Sequence, residues 1–181
     1  MAKFRIKLSL LAILFSVSAI IFLLSYYFYE QKPIYSWKID NFTFVFRGNL
    51  REAEKIPVYP SEENLNSILT SKKLKNITIA FKDAGEENYY YSLEAYEIAY
   101  KLSLFYKIKG MQVSFTPLEI DSYENLKGSE ENIIIALVHP KFSTENGIRI
   151  EDYVIYVKAR DLKNFDLAVI KLLMCAMQIK I

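Results

Sequence analysis

The chain has one cysteine, one histidine, one tryptophan and five glycines among 181 residues. Each shortage removes a class of chemistry. Gly48, Gly85, Gly110, Gly128 and Gly147 lie at least eighteen residues apart. A phosphate-cradling loop needs two or three glycines within about seven positions, because only glycine lets the backbone approach the phosphate. The same spacing excludes the G-x-S-x-G nucleophile elbow, and no serine has the lysine three residues on that an S-x-x-K dyad requires. With His139 alone, a zinc-protease helix or any multi-histidine metal site is impossible. Cys175 sits in an apolar C-terminal stretch, where a buried inert thiol is expected and no intrachain disulfide can form. No metal and no cofactor are expected.

What is present begins with a hydrophobic run. Leu8 to Phe28 reads LSLLAILFSVSAIIFLLSYYF, twenty-one residues without a charge. A helix of that length spans about 31 Å, the thickness of a bilayer core. Val17-Ser18-Ala19 offers a signal-peptidase spacing. Cleavage there would leave half a span on the new terminus, so an uncleaved anchor is the favoured reading. Lys3, Arg5 and Lys7 precede the run, whereas the twelve residues after it balance Lys32 and Lys38 against Glu30 and Asp40. The positive-inside rule then places residues 1–7 in the cytoplasm and the main body outside, on a single-pass protein of the cell membrane. Tyr26, Tyr27, Phe28, Tyr29, Tyr35 and Trp37 suit an aromatic belt at the exit interface. The formal net charge of +2 conceals the basic tail, since the rest of the chain carries 20 bases against 21 acids. Nucleic acid is an unsuitable partner for such a body.

Residues 29–40, marked by Pro33, read as a linker, and residues 41–181 as one domain of ordinary size. Strands are expected over Phe42–Phe46, Asn76–Phe81, Met111–Thr116 (stopped by Pro117) and Ile133–Val138, with a hairpin of Ile148–Ile150 and Tyr153–Val157. Helices are expected from Ser61 to about Ser71, over Ser92–Lys109 before Gly110, and from Leu162 to Met177. Alternation of strands and helices with the unbroken run IIIALV predicts an α/β fold. Its domain is a three-layer one, with a mainly parallel sheet covered by helices on both faces and an antiparallel edge hairpin. The helix at Ser92–Lys109 is apolar in nearly every direction, which predicts burial on two sides. The last helix carries one charge in LAVIKLLMCAMQI; it packs on the sheet or meets a protein or membrane surface.

The remaining polar candidates cluster where open α/β sheets bind ligands, at the carboxyl ends of strands. Arg47, Asn49 and Arg51 follow the Phe42–Phe46 strand, and His139 follows IIIALV. Arginine suits bidentate capture of a carboxylate or phosphate. Glu94 and Glu97 share a helix face with apolar residues and need partners if buried: Arg47 or Arg51, or Lys101 for Glu97 at i+4. Asn41-Phe42-Thr43 and Asn76-Ile77-Thr78 match the N-glycosylation pattern. Tyr89-Tyr90-Tyr91 suits packing at the start of a helix, or stacking on a sugar or base.

Three stretches carry a resemblance: Val45-Phe46-Arg47-Gly48-Asn49-Leu50-Arg51-Glu52-Ala53-Glu54, Ile56-Pro57-Val58-Tyr59-Pro60 and Asn164-Phe165-Asp166-Leu167-Ala168-Val169. They resemble a group of archaeal proteins with one N-terminal span and a small α/β domain. The resemblance implies an archaeal source and no particular activity. The expected function is a binding or assembly component of a cell-envelope complex, anchored in the lipid bilayer through residues 8–28 and engaging a protein partner or copies of itself. Two alternatives stand beside it. One is a small hydrolase or transferase with Arg47, Glu97 and His139 around one crevice, and the other a ligand-sensing domain that faces the cytoplasm.

Overall fold

The computed structural model describes residues 35–46 and 48–181. The expected tail, the membrane span at residues 8–28 and Arg47 lie outside the described residues. Among those described, no helix is long and apolar enough to cross a membrane.

Two strands, β1 (Tyr35–Ile39) and β2 (Phe42–Phe46), form an antiparallel ribbon of their own. There follow α1 (Leu50–Glu54), β3 (Val58–Tyr59), α2 (Glu62–Leu69), β4 (Asn76–Phe81), α3 (Asn88–Ile108), β5 (Ser114–Glu119) and β6 (Asn132–Val138). The hairpin β7 (Gly147–Glu151) and β8 (Val154–Lys158) leads into α4 (Leu162–Met177). The main sheet has the order β3-β7-β8-β6-β4-β5. Strands β8, β6, β4 and β5 run parallel, and β7 is antiparallel to β8. This is the α/β fold with a mainly parallel sheet and one antiparallel hairpin.

Several expectations need correction. The hairpin is not the edge, because the two-residue β3 pairs parallel to β7 outside it. Phe42–Phe46 does not join the main sheet; it pairs with Tyr35–Ile39, inside the stretch expected as a linker. Tyr35 and Trp37, expected in an aromatic belt, are half-buried against the core. Strand β5 starts later than expected and runs through Pro117. It is the outermost strand on its side of the sheet, where a missing backbone N–H costs no ladder bond.

The three-layer arrangement is also corrected. Ile133, Ile135 and Leu137 of β6 face a large core shared with every helix, whereas Ile134, Ala136 and Val138 face a smaller cluster. Among the described residues no α-helix covers that second face. Ile120, Tyr123 and Leu126 from the connection between β5 and β6 lie over it, together with Phe142. Because both faces are covered, the strand is apolar throughout.

Helix α4 is the centre of the helical layer. Asp161 caps it by accepting the Asn164 N–H at 2.8 Å, and it touches α1, α2 and α3. Twelve of its sixteen residues are buried, so packing on the sheet is the correct reading of its apolar sequence. Helix α3 begins one turn earlier than expected. Asp83 Oδ1 accepts from the Gly85 N–H and the Asn88 amide, and Asn88 Oδ1 accepts from the Ala84 N–H, so local side-chain bonds start the turn. At its far end Gly110 has φ +68° and the Met111 N–H reaches back to the Tyr106 carbonyl at 2.9 Å, a left-handed stop.

Candidate functional site

At the carboxyl end of β6 a chain of hydrogen bonds closes the place where an open sheet would take a ligand. Tyr123 Oη donates to the Leu137 carbonyl at 2.6 Å, which leaves it free to accept from the Lys82 N–H at 3.2 Å and from Tyr91 Oη at 3.2 Å. Tyr91 Oη in turn accepts the His139 N–H at 3.3 Å. Only this direction gives every hydroxyl a role it can fill. Burial pushes both phenols upward, so they stay protonated.

The His139 side chain is sealed beside this chain. Its Nδ1 accepts the Lys141 N–H at 3.2 Å, which fixes the proton of the neutral ring on Nε2. Among the described residues Nε2 has no hydrogen-bond partner, and a Glu87 carboxylate oxygen is 3.6 Å away. Burial lowers the pKa of His139 against the opposing pull of Glu87. The ring lies among Tyr90, Tyr91 and Phe165 and is 1% exposed. In this arrangement His139 is packed among aromatic rings and presents no nitrogen to solvent.

Glu97 belongs to a second cluster. It pairs with Lys101 at i+4, as the spacing predicts, and the buried Lys101 ammonium lies 4.5 Å from the centre of the Phe46 ring. Glu94 and Asp166 crowd the same charge. Burial first, then the charges of Asp166 and Glu97, push the Glu94 carboxyl up to about 8. Burial and Glu97 raise Asp166 in the same direction. Glu97 lies six residues beyond Tyr91 on α3, about 9 Å along the helix axis. His139 and Glu97 share no hydrogen-bond or ion-pair partner among the described residues.

The other candidates have local duties. Asn49 caps α1, accepting from the Arg51 and Glu52 N–H groups and donating to the Glu52 carboxylate at 3.2 Å. Arg51 is exposed in the first turn of α1 and makes no ion pair among the described residues. Asn41 is exposed in the turn between β1 and β2, whereas the Asn76 amide donates to Asn132 Oδ1 at 2.6 Å. Cys175 is buried and its thiol is pushed up to about 12. No group of three or more metal-ligating side chains exists among the described residues.

A cleft of about 760 Å³ lies at the amino end of the sheet, with Leu74, Phe105 and Met177 on its walls and Lys72 and Lys109 at its margin. It touches none of the sequence candidates. A different feature on α3 escaped the sequence reading. Tyr89, Leu93, Tyr96 and Tyr100 are 54%, 59%, 65% and 51% exposed. Their spacing of four, three and four places them along one line of the helix. The Tyr96 and Tyr100 rings stack with centroids 5.7 Å apart and planes within 9°. The helix is therefore buried on one side and bare on another, contrary to the expectation of burial on two.

No family model, curated protein or solved structure matches this chain.

Such a line of aromatic side chains can do one thing well. Tyrosine offers a large apolar face with little rotamer freedom to lose, which is why it is enriched where protein surfaces meet.

Proposed function

We propose that this chain is an assembly component of the cell envelope. On this reading residues 8–28 hold it in the membrane, the α/β domain lies outside, and α3 is the face through which it joins a protein complex. The observation that carries the proposal is the bare line of Tyr89, Leu93, Tyr96 and Tyr100. Most exposed apolar residues of a monomer are scattered singly, and its largest continuous apolar patch is often a functional one. The sealed His139 and the Glu97–Lys101 pair weigh against the hydrolase alternative, because neither offers a reacting group to a substrate.

The test is the size of the native complex. Full-length chain extracted in mild detergent from its own membranes should run well above its 21.2 kDa monomer with stoichiometric partners or further copies. Leu93→Glu/Tyr96→Glu should abolish that complex while leaving the circular dichroism spectrum unchanged. A wild-type chain that is monomeric at native abundance overturns the proposal.

A further inference from the structure

We infer that the partner on α3 is a second copy of this chain, with the two α3 helices packed antiparallel about a two-fold axis at the level of Glu94 and Ala95. The inference rests on the assembly reading above and names its partner. Three observations lead to it.

The first is the spacing. Steps of four, three and four from Tyr89 to Tyr100 are those of the seam of two paired helices, and the seam ends where Ser103 and Lys107 take the next positions. It is two heptads long, enough for one helix crossing. The second is charge. The segment is acidic at its start, with Glu86 and Glu87 exposed, and basic at its end, with Lys107 and Lys109 exposed. Antiparallel packing sets each acidic end beside the other copy's basic end, and it opposes the helix dipoles. Parallel packing would place like charges together. Within the line itself there is no charge, so the surface repels no copy of itself.

The third is area. Taking about 200 Å² for each tyrosine side chain, the observed exposures leave about 450 Å² of these four residues uncovered on each copy. Two copies then bury up to about 900 Å² from the seam, short of the roughly 1,200 Å² at which specific interfaces begin. The pair is at the weak end of stable dimers. Confinement of both copies to one membrane would raise their effective concentration.

The geometry fixes which residues meet. Tyr89 of one copy lies against Tyr100 of the other, and Leu93 against Tyr96. The two Tyr89 residues are about 16 Å apart along the axis, beyond the reach of a disulfide. Full-length Tyr89→Cys and Tyr100→Cys chains, mixed in detergent micelles and oxidised, should give a crosslinked heterodimer. Each alone should give none, and the buried Cys175 is silent. Sedimentation of the wild-type chain should show a monomer–dimer equilibrium, and Leu93→Glu/Tyr96→Glu should weaken it by at least about tenfold. Crosslinking of Tyr89→Cys with itself overturns the antiparallel arrangement. A wild-type complex that contains other chains, with no 89–100 crosslink, overturns self-pairing and leaves the assembly role standing. A monomer throughout overturns both.

Discussion

Glu94 gives the domain a pH dependence that one substitution should remove. Its carboxyl is raised from the ordinary 4.5 to about 8, chiefly by burial and then by the negative charges of Asp166 and Glu97, with Lys101 opposing. The folded state therefore binds a proton more tightly than the unfolded chain. The stabilisation is complete below about pH 4.5, declines as pH rises, and is gone above about pH 8. At 1.36 kcal/mol per pH unit, this group alone lowers stability by roughly 3 kcal/mol between pH 4.5 and 7, and by no more than about 5 kcal/mol in all. Glu94→Gln keeps the shape of the protonated carboxyl and cannot ionise. The variant should match the wild type near pH 4.5 and exceed it progressively toward pH 8. Denaturant midpoints of the full chain in micelles, followed by circular dichroism from pH 4.5 to 9, measure the difference. Asp166 is raised too, but it is common to both proteins and largely cancels. A difference that stays flat with pH, or a variant less stable than wild type at pH 8, refutes the reasoning.

Lys171 and Glu62 should behave asymmetrically. The Lys171 ammonium is 2% exposed and donates to Glu62 at 2.6 Å and to the Glu54 carbonyl at 3.1 Å, whereas the Glu62 side chain is 56% exposed. Glu62→Gln leaves a buried cation and should cost more, about 2 kcal/mol against about 1 kcal/mol for Lys171→Met, whose orphaned carboxylate is already in water. Urea denaturation that ranks the two the other way contradicts this. Tyr91→Phe and Tyr123→Phe each break the chain from the His139 N–H to the Leu137 carbonyl and should cost about 1–3 kcal/mol. Because they share one bond, the double variant should cost less than the two added together, which a double-mutant cycle measures directly.

The parts of the fold legible in the sequence are those whose pattern is long and has one interpretation. NITIAF, IIIALV and the last helix are such segments, and Leu162–Met177 has the bounds expected of it. The second face of the sheet was not legible, because its cover is a loop. Ile120, Tyr123 and Leu126 lie among charged residues with no strand or helix period, so only the fold reveals that they close a core. Strand β1 was hidden by a competing reading, since an aromatic segment after a hydrophobic run suits a membrane interface as well as a strand. Pro117 misled in a third way. Proline ends a strand only where the ladder needs its N–H, and edge position is a property of topology rather than of local sequence.

The bare face of α3 was illegible for a related reason. Helix α3 has apolar residues in nearly all directions, and a helix of that kind is ordinarily buried on all sides. The buried set is Tyr91, Ile98, Lys101, Leu102, Phe105 and Tyr106; the bare set is Tyr89, Leu93, Tyr96 and Tyr100. Nothing in the wheel ranks one set above the other, because Lys101, the single charge in the buried group, is accommodated by Glu97 and the Phe46 ring. The described residues supply neighbours for one side of the helix. Apolar surface that the domain leaves in water is stabilised when another chain covers it, and the first side of α3 was shaped by the same physics. On the assembly proposal, it is a second chain that covers the side of α3 left bare by the domain.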